Sequence, residues 1–250
     1  MTLARAEILK LVRRRGLMTW TALLTLGSVV VPYAVLVTLH ALAPGRHGPA
    51  GSGENPEHVL GLLALVGGVG AIMLATTAGS QDHSSGVFRE LAATGRSRTA
   101  LFRARVRGAL TVYLPLVAVA FALATIASYA FAGGERAASA GDVARYGAWL
   151  AATTLLNVVL GVSLASIVGS RIAVGALLAW SAIVAPLLLQ VADLGGTRAL
   201  IGTAAAQHFA PAGPAATQIA MSSVTALAVL TVWIALPLLV GAHVTKRRDA

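Results

Sequence analysis

The sequence predicts an all-α, polytopic membrane protein with six transmembrane helices, both termini cytoplasmic and an amphipathic N-terminal helix. Three observations carry this. Of the 250 residues, 57% are hydrophobic and only 11% are charged, less than half the ~25% charged residues of a soluble domain. Six apolar runs contain no Asp, Glu, Lys or Arg, and each approaches or exceeds the ~20 residues that cross a bilayer. Alternate connecting segments share the Lys and Arg residues 15 to 4, and the richer side is read as cytoplasmic.

Residues 1–16 come first. Ala4, Ile8, Leu11 and Val12 recur at helical spacing, with Glu7, Lys10 and Arg14 on the other side. This pattern suits a helix lying in the membrane interface; a simple basic anchor ahead of the first span is the other reading. The run that follows, Leu17–Leu42, has 26 residues. That exceeds a signal-peptide core, so it is read as a span rather than a cleaved leader.

The transmembrane domain covers residues 17–242. Its remaining spans run roughly Val59–Gly79, Gly108–Ala132, Tyr146–Gly169, Ile172–Val191 and Ile219–Ala242. The fourth and fifth are separated at Ser170–Arg171, because one unbroken run is too long for a single crossing. Pro32, Pro115, Pro186 and Pro237 fall inside four spans and permit kinks there. Gly161, Ala165 and Gly169 form a small-residue ridge, and Gly67 with Ala71 a second. Such ridges let helices approach closely, within one subunit or between two. Residues 243–250 form a basic cytoplasmic tail.

The longest cytoplasmic loop, residues 80–107, reads AGSQDHSSGVFRELAATGRSRTALFRARVRG with its flanks. Asp82, Ser84 and Ser85 are N-cap candidates for a short helix. Val87, Phe88 and Leu91 share one face of it, with Arg89 and Glu90 elsewhere. Gly95 suits a left-handed C-cap, and Ser97 can cap the helix that enters the third span. The Val/Phe/Leu face can dock on another protein or lie in the headgroups. The outer loop, 192–218, is weakly polar, and Leu200–Phe209 is apolar enough to dip back into the membrane.

On these residues the chain resembles the permease subunit of ATP-binding-cassette transporters of the type-2 exporter class. Asp82, Gly86, Glu90–Leu91 and the Gly95–Arg98 turn fit the loop of that family; its frequent Pro near Gly95 is absent. The resemblance implies a coupling helix seated on a separate ATPase subunit, with Asp82, His83, Gly86, Val87, Phe88, Arg89, Glu90, Leu91, Arg96 and Arg98 in the contact. It also implies a second permease copy, re-entrant helices in loop 192–218, and a drug-, antibiotic- or lipid-like substrate exported across a bacterial plasma membrane.

Other chemistry lacks support in the sequence. A phosphate-binding loop needs G-x-x-x-x-G-K-[ST], and neither Lys10 nor Lys246 follows a Gly. ATP and Mg are therefore expected on the partner, with no cofactor or metal on this chain. The six His are scattered without an H-E-x-x-H pair, and there is no Cys, so no enzyme activity is expected. The basic residues flank spans, where anionic headgroups attract them, so the expected partner is the lipid bilayer and no nucleic acid. The alternative function is a self-contained secondary transporter or channel-like protein. Such transporters place ionisable residues inside their spans, and the six segments have none.

Overall fold

The computed structural model describes residues 3–84, 97–135, 138–170, 172–180, 205–206, 208–210 and 222–247. All regular structure among them is helical: α1 (Leu3–Val12), α2 (Arg15–Leu42), α3 (Asn55–Leu62), a π-helical turn (Leu63–Gly67), α4 (Gly68–Ser84), α5 (Arg98–Ala130), α6 (Ala140–Val168), α7 (Ile172–Ala179) and α8 (Ser223–Arg247). Among the described residues, five stretches are long and apolar enough to cross a membrane: Arg15–Leu42, Asn55–Asp82, Arg98–Ala130, Ala140–Val168 and Ser223–Arg247. Of the fifth predicted span, Ile172–Val191, α7 and Trp180 are described. Pro186 and the rest of that span lie outside the described residues.

Local chemistry sets the helix ends. Ser97 caps α5, its hydroxyl accepting from the Ala100 N–H at 3.2 Å. Ser139 and Asp142 form a reciprocal capping box on α6, satisfying two N–H groups that the helix leaves open. Gly169 ends α6 in the left-handed region, φ +71°, with its N–H on the Ala165 carbonyl at 2.8 Å. The chain thus breaks where Ser170–Arg171 divides the fourth and fifth apolar runs. Gly169 therefore stops the helix, because L side chains rarely adopt that conformation.

α5 has 33 residues. At 1.5 Å per residue that is about 50 Å, well beyond a hydrocarbon core of ~30 Å. Its first ten residues, Arg98–Arg107, therefore project past the apolar layer. Pro32, Pro115 and Pro237 all lie inside helices.

α4 and α6 form the centre. The most apolar parts of the stretch Asn55–Asp82, which includes α4, and of α6 are 56% buried, against 22% for α2, 28% for α5 and 17% for α8. α4 and α6 touch through small residues. A Cβ on Gly161 would sit 2.7 Å from Ala75 Cβ, and one on Gly79 would sit 2.5 Å from the Val162 carbonyl and 2.7 Å from Ala165 Cβ. Ala75 and Gly79, one turn apart on α4, thus meet Gly161 and Ala165 of the same chain, whereas Gly67 faces Thr25 and Tyr113 instead. The outward faces, with Trp20, Val31, Ile126, Val224 and Leu239 exposed, are as apolar as a lipid-facing surface requires.

The π turn has a partner that explains it. The Tyr113 hydroxyl donates to the Gly67 carbonyl, and Thr25 Oγ1 lies 3.1 Å from that hydroxyl. A carbonyl displaced from the helix ladder is thereby satisfied inside the bundle.

The bundle has two chemically distinct ends. At one, residues 43–54 fold over α5: the Gly51 N–H donates to the Phe131 carbonyl at 2.9 Å, and Ser128 Oγ to the Gly51 carbonyl at 3.1 Å. A Cβ on Gly51 would come within 2.1 Å of the Ser128 carbonyl oxygen, so only glycine fits. At the other end, α1 packs on α5, and Arg98 Nη1 donates to the Lys246 carbonyl at 3.4 Å. The start of α5 and the last turns of α4 and α8 meet there. Of loop 192–218, Ala205 and Ala206 are buried in an apolar cluster with Leu156, Leu160, Leu177 and Leu230; most of the loop lies outside the described residues.

Candidate functional site

The end that holds α1 carries four charged side chains in contact. In α1, Glu7 and Leu11 are one turn apart and face α5, with exposures of 7% and 0%. Gly108 makes room, since a Cβ there would be 2.8 Å from Glu7 Cβ. This corrects the predicted amphipathic face. Glu7 is on the buried side, and Val12 is 48% exposed. The reason is electrostatic: Lys10 pairs with Glu7, and Lys10 is itself drawn inward by Asp82 from far along the chain, which helical periodicity cannot register.

Lys10, one turn on from Glu7, places its Nζ 2.9 Å from both Glu7 carboxylate oxygens and 2.6 Å from Asp82 Oδ1. Arg105 donates to the other Asp82 oxygen, from Nε at 3.1 Å and Nη2 at 2.9 Å. Asp82 thus gives one oxygen to each cation. Two anions and two cations cancel, which makes the burial of Asp82 at 4% exposure and Arg105 at 0% tolerable. Burial raises the Glu7 carboxyl above its ordinary value of 4.5, against the lowering effect of Lys10.

Two expectations change here. Asp82 is not an N-cap: it lies in the last turn of α4 and forms ion pairs. Nor do all charges sit clear of the membrane-length helices, because Asp82 and Arg105 lie within two of them. Apolar-run boundaries at Gly79 and Gly108 stopped short of both residues, and the helices continue past them.

Asp82 and Arg105 lie inside the predicted coupling loop, 80–107, near its two ends. Asp82 precedes residues 85–96 and Arg105 follows them, so their ion pair ties the two stems together. Arg98, at the start of α5, reaches the end of α8. Of the expected contact residues, Asp82 and Arg98 are placed at this end, and His83 lies in the last turn of α4. Gly86, Val87, Phe88, Arg89, Glu90, Leu91 and Arg96 lie outside the described residues. Glu7, Lys10 and Arg105 were not singled out as site residues. The three-residue Glu7–Lys10 spacing was a visible signal for one pair; Arg105 was counted only among the topology charges.

The arrangement suits mechanical linkage of the three helices. Among the described residues, no group of three or more His, Cys, Asp or Glu could hold a metal ion. What the cluster can do is make α1, α4 and α5 move together, since separating a buried pair strands an uncompensated charge.

Fold and site define a class, a multi-pass helical membrane protein with an ionic clasp at one end of its bundle. No family model and no curated protein matches the chain.

Proposed function

We propose that the chain is the transmembrane permease subunit of a type-2 ATP-binding-cassette exporter, moving a hydrophobic or amphipathic substrate across a bacterial plasma membrane. ATP, with Mg, would be hydrolysed by a separate subunit, and a second permease copy would complete the pathway. The observation that carries the reading is the Asp82–Arg105 pair. It clamps the stems of the loop whose residues resemble the family's coupling helix, and Lys10 joins the N-terminal helix to the same carboxylate. Force applied to that loop by a closing ATPase would reach three helices at once. The surplus of basic residues on this side supports a cytoplasmic position for it and for both termini.

The second reading is a self-contained secondary transporter. Asp82 and Arg105 favour it, because buried ionisable residues in membrane-length helices often serve ion coupling. Against it, both are charge-compensated and stand at helix ends. Transport by native-membrane vesicles separates the two. The exporter reading predicts uptake into inverted vesicles that needs ATP and survives an ionophore. Uptake abolished by the ionophore, with ATP present, would favour the second reading.

A further inference from the structure

A separate feature lies at the same end of the bundle, between α2, α4 and α7. It is a cavity of about 240 Å³ lined by Arg14, Thr76, Thr77, Ser80 and Gln81 together with apolar side chains. Its polarity is graded. Arg14 stands in the turn before α2, and Ser80 is one turn from the end of α4. Met73 lies seven residues deeper on the same helix, about 10 Å at the helical rise. Leu17 and Val174 supply the remaining apolar wall.

The hydroxyls are already committed as donors. Thr77 Oγ1 donates to the Met73 carbonyl at 2.8 Å, Ser80 Oγ to the Thr76 carbonyl at 2.8 Å, and Thr76 Oγ1 to the Ile72 carbonyl at 2.7 Å. They therefore offer the cavity acceptor lone pairs, and Arg14 offers it a cation. A matching ligand carries an anionic oxygen for the guanidinium and hydrogen-bond donors of its own for the hydroxyls. Size narrows this further. The cavity is smaller than the ~300–1,000 Å³ sites that enclose a drug-sized molecule, so it takes a head group, with any chains leaving past Leu17 and Met73 into lipid.

We propose that this groove binds a phosphate-bearing, hydroxyl-rich head group of the glycerophosphoglycerol type, the phosphate on Arg14 and the hydroxyls on the Thr77–Ser80 face. The head group has two possible sources, a membrane phospholipid or its water-soluble deacylated form. The assignment is independent of the ATPase reading.

Native mass spectrometry of the full chain, released from neutral detergent, tests it with two probes: dioctanoyl-phosphatidylglycerol and glycerophosphoglycerol. Arg14→Gln should weaken binding by about tenfold or more, the scale of one lost charged hydrogen bond. Val174→Phe should weaken it by filling the groove without touching charge. Arg13→Gln, one residue away but not in the lining, should leave it unchanged. Binding of the lipid alone assigns the membrane source; binding of both probes assigns the soluble one. Equal affinity in wild type, Arg14→Gln and Val174→Phe would overturn the proposal, as would equal weakening by Arg13→Gln and Arg14→Gln.

Discussion

Arg105 and Asp82, 23 residues apart in sequence, share a single carboxylate oxygen: Arg105 Nη2 and Nε stand 2.9 and 3.1 Å from Asp82 Oδ2. The second oxygen belongs to Lys10, 72 residues away. Removing the shared carboxylate alone should therefore cost more than removing Asp82 and Arg105 together. Asp82→Ala is expected to destabilise the protein by about 3–5 kcal/mol, because it takes the carboxylate away from the buried Arg105 guanidinium. The double variant Asp82→Leu/Arg105→Leu should recover most of that loss. Thermal unfolding in detergent checks it, and additive single-variant losses would contradict the coupling.

Docking of α1 should weaken as pH rises. Glu7 faces Lys10, Asp82 and Arg105, and its carboxyl is raised above 4.5 by burial. A raised acid favours the folded state in its protonated form, so that advantage is complete below 4.5 and fades as pH climbs through the raised value. The absence of native Cys allows a clean probe. The labelling rate of Leu11→Cys, divided by that of the exposed Val12→Cys at each pH, should increase from pH 4.5 upward. In a Glu7→Gln background the ratio should stay flat.

Close contact between α4 and α6 predicts a split among glycines. Gly79→Val and Gly161→Val place atoms where Val162, Ala165 and Ala75 already stand, and each should cost about 1–3 kcal/mol by overpacking. Gly27 has nothing within 4 Å of an added Cβ, so Gly27→Ala should be neutral or stabilise by up to ~1 kcal/mol. Melting temperatures of the purified variants provide the comparison.

Tyr113→Phe should destabilise the bundle by about 1–3 kcal/mol, since it leaves the Gly67 carbonyl at the π turn without its donor. Thr25→Val should cost less, because Tyr113 keeps that bond. The order of the two melting temperatures is the test, and a reversal would assign the turn to some other cause.

How far the fold could be read from sequence differs from feature to feature. The long apolar stretches, the cap at Ser97 and the break before Ile172 were legible because each depends on neighbouring residues. Loop 80–107 was bounded by hydropathy, which ends at Gly79 and resumes at Gly108, whereas the helices run on to Ser84 and begin at Arg98. The π turn was not legible, because its stabilising hydroxyl comes from a residue 46 positions away. The clasp was half legible. Glu7–Lys10 is a local pair, but periodicity sends a glutamate outward, and only Lys10 beside it with Asp82 and Arg105 behind makes an inward Glu7 tolerable.

The central claim is that the loop between Asp82 and Arg105 receives a separate ATPase. Affinity purification of the tagged chain from its native membranes, in gentle detergent, tests this most directly when wild type and Phe88→Glu are run side by side. An ATP-hydrolysing subunit should co-purify with wild type and be lost from Phe88→Glu, while both proteins insert to the same level. Wild-type protein that brings no ATPase with it, or a Phe88→Glu variant that retains one in full, would contradict the account.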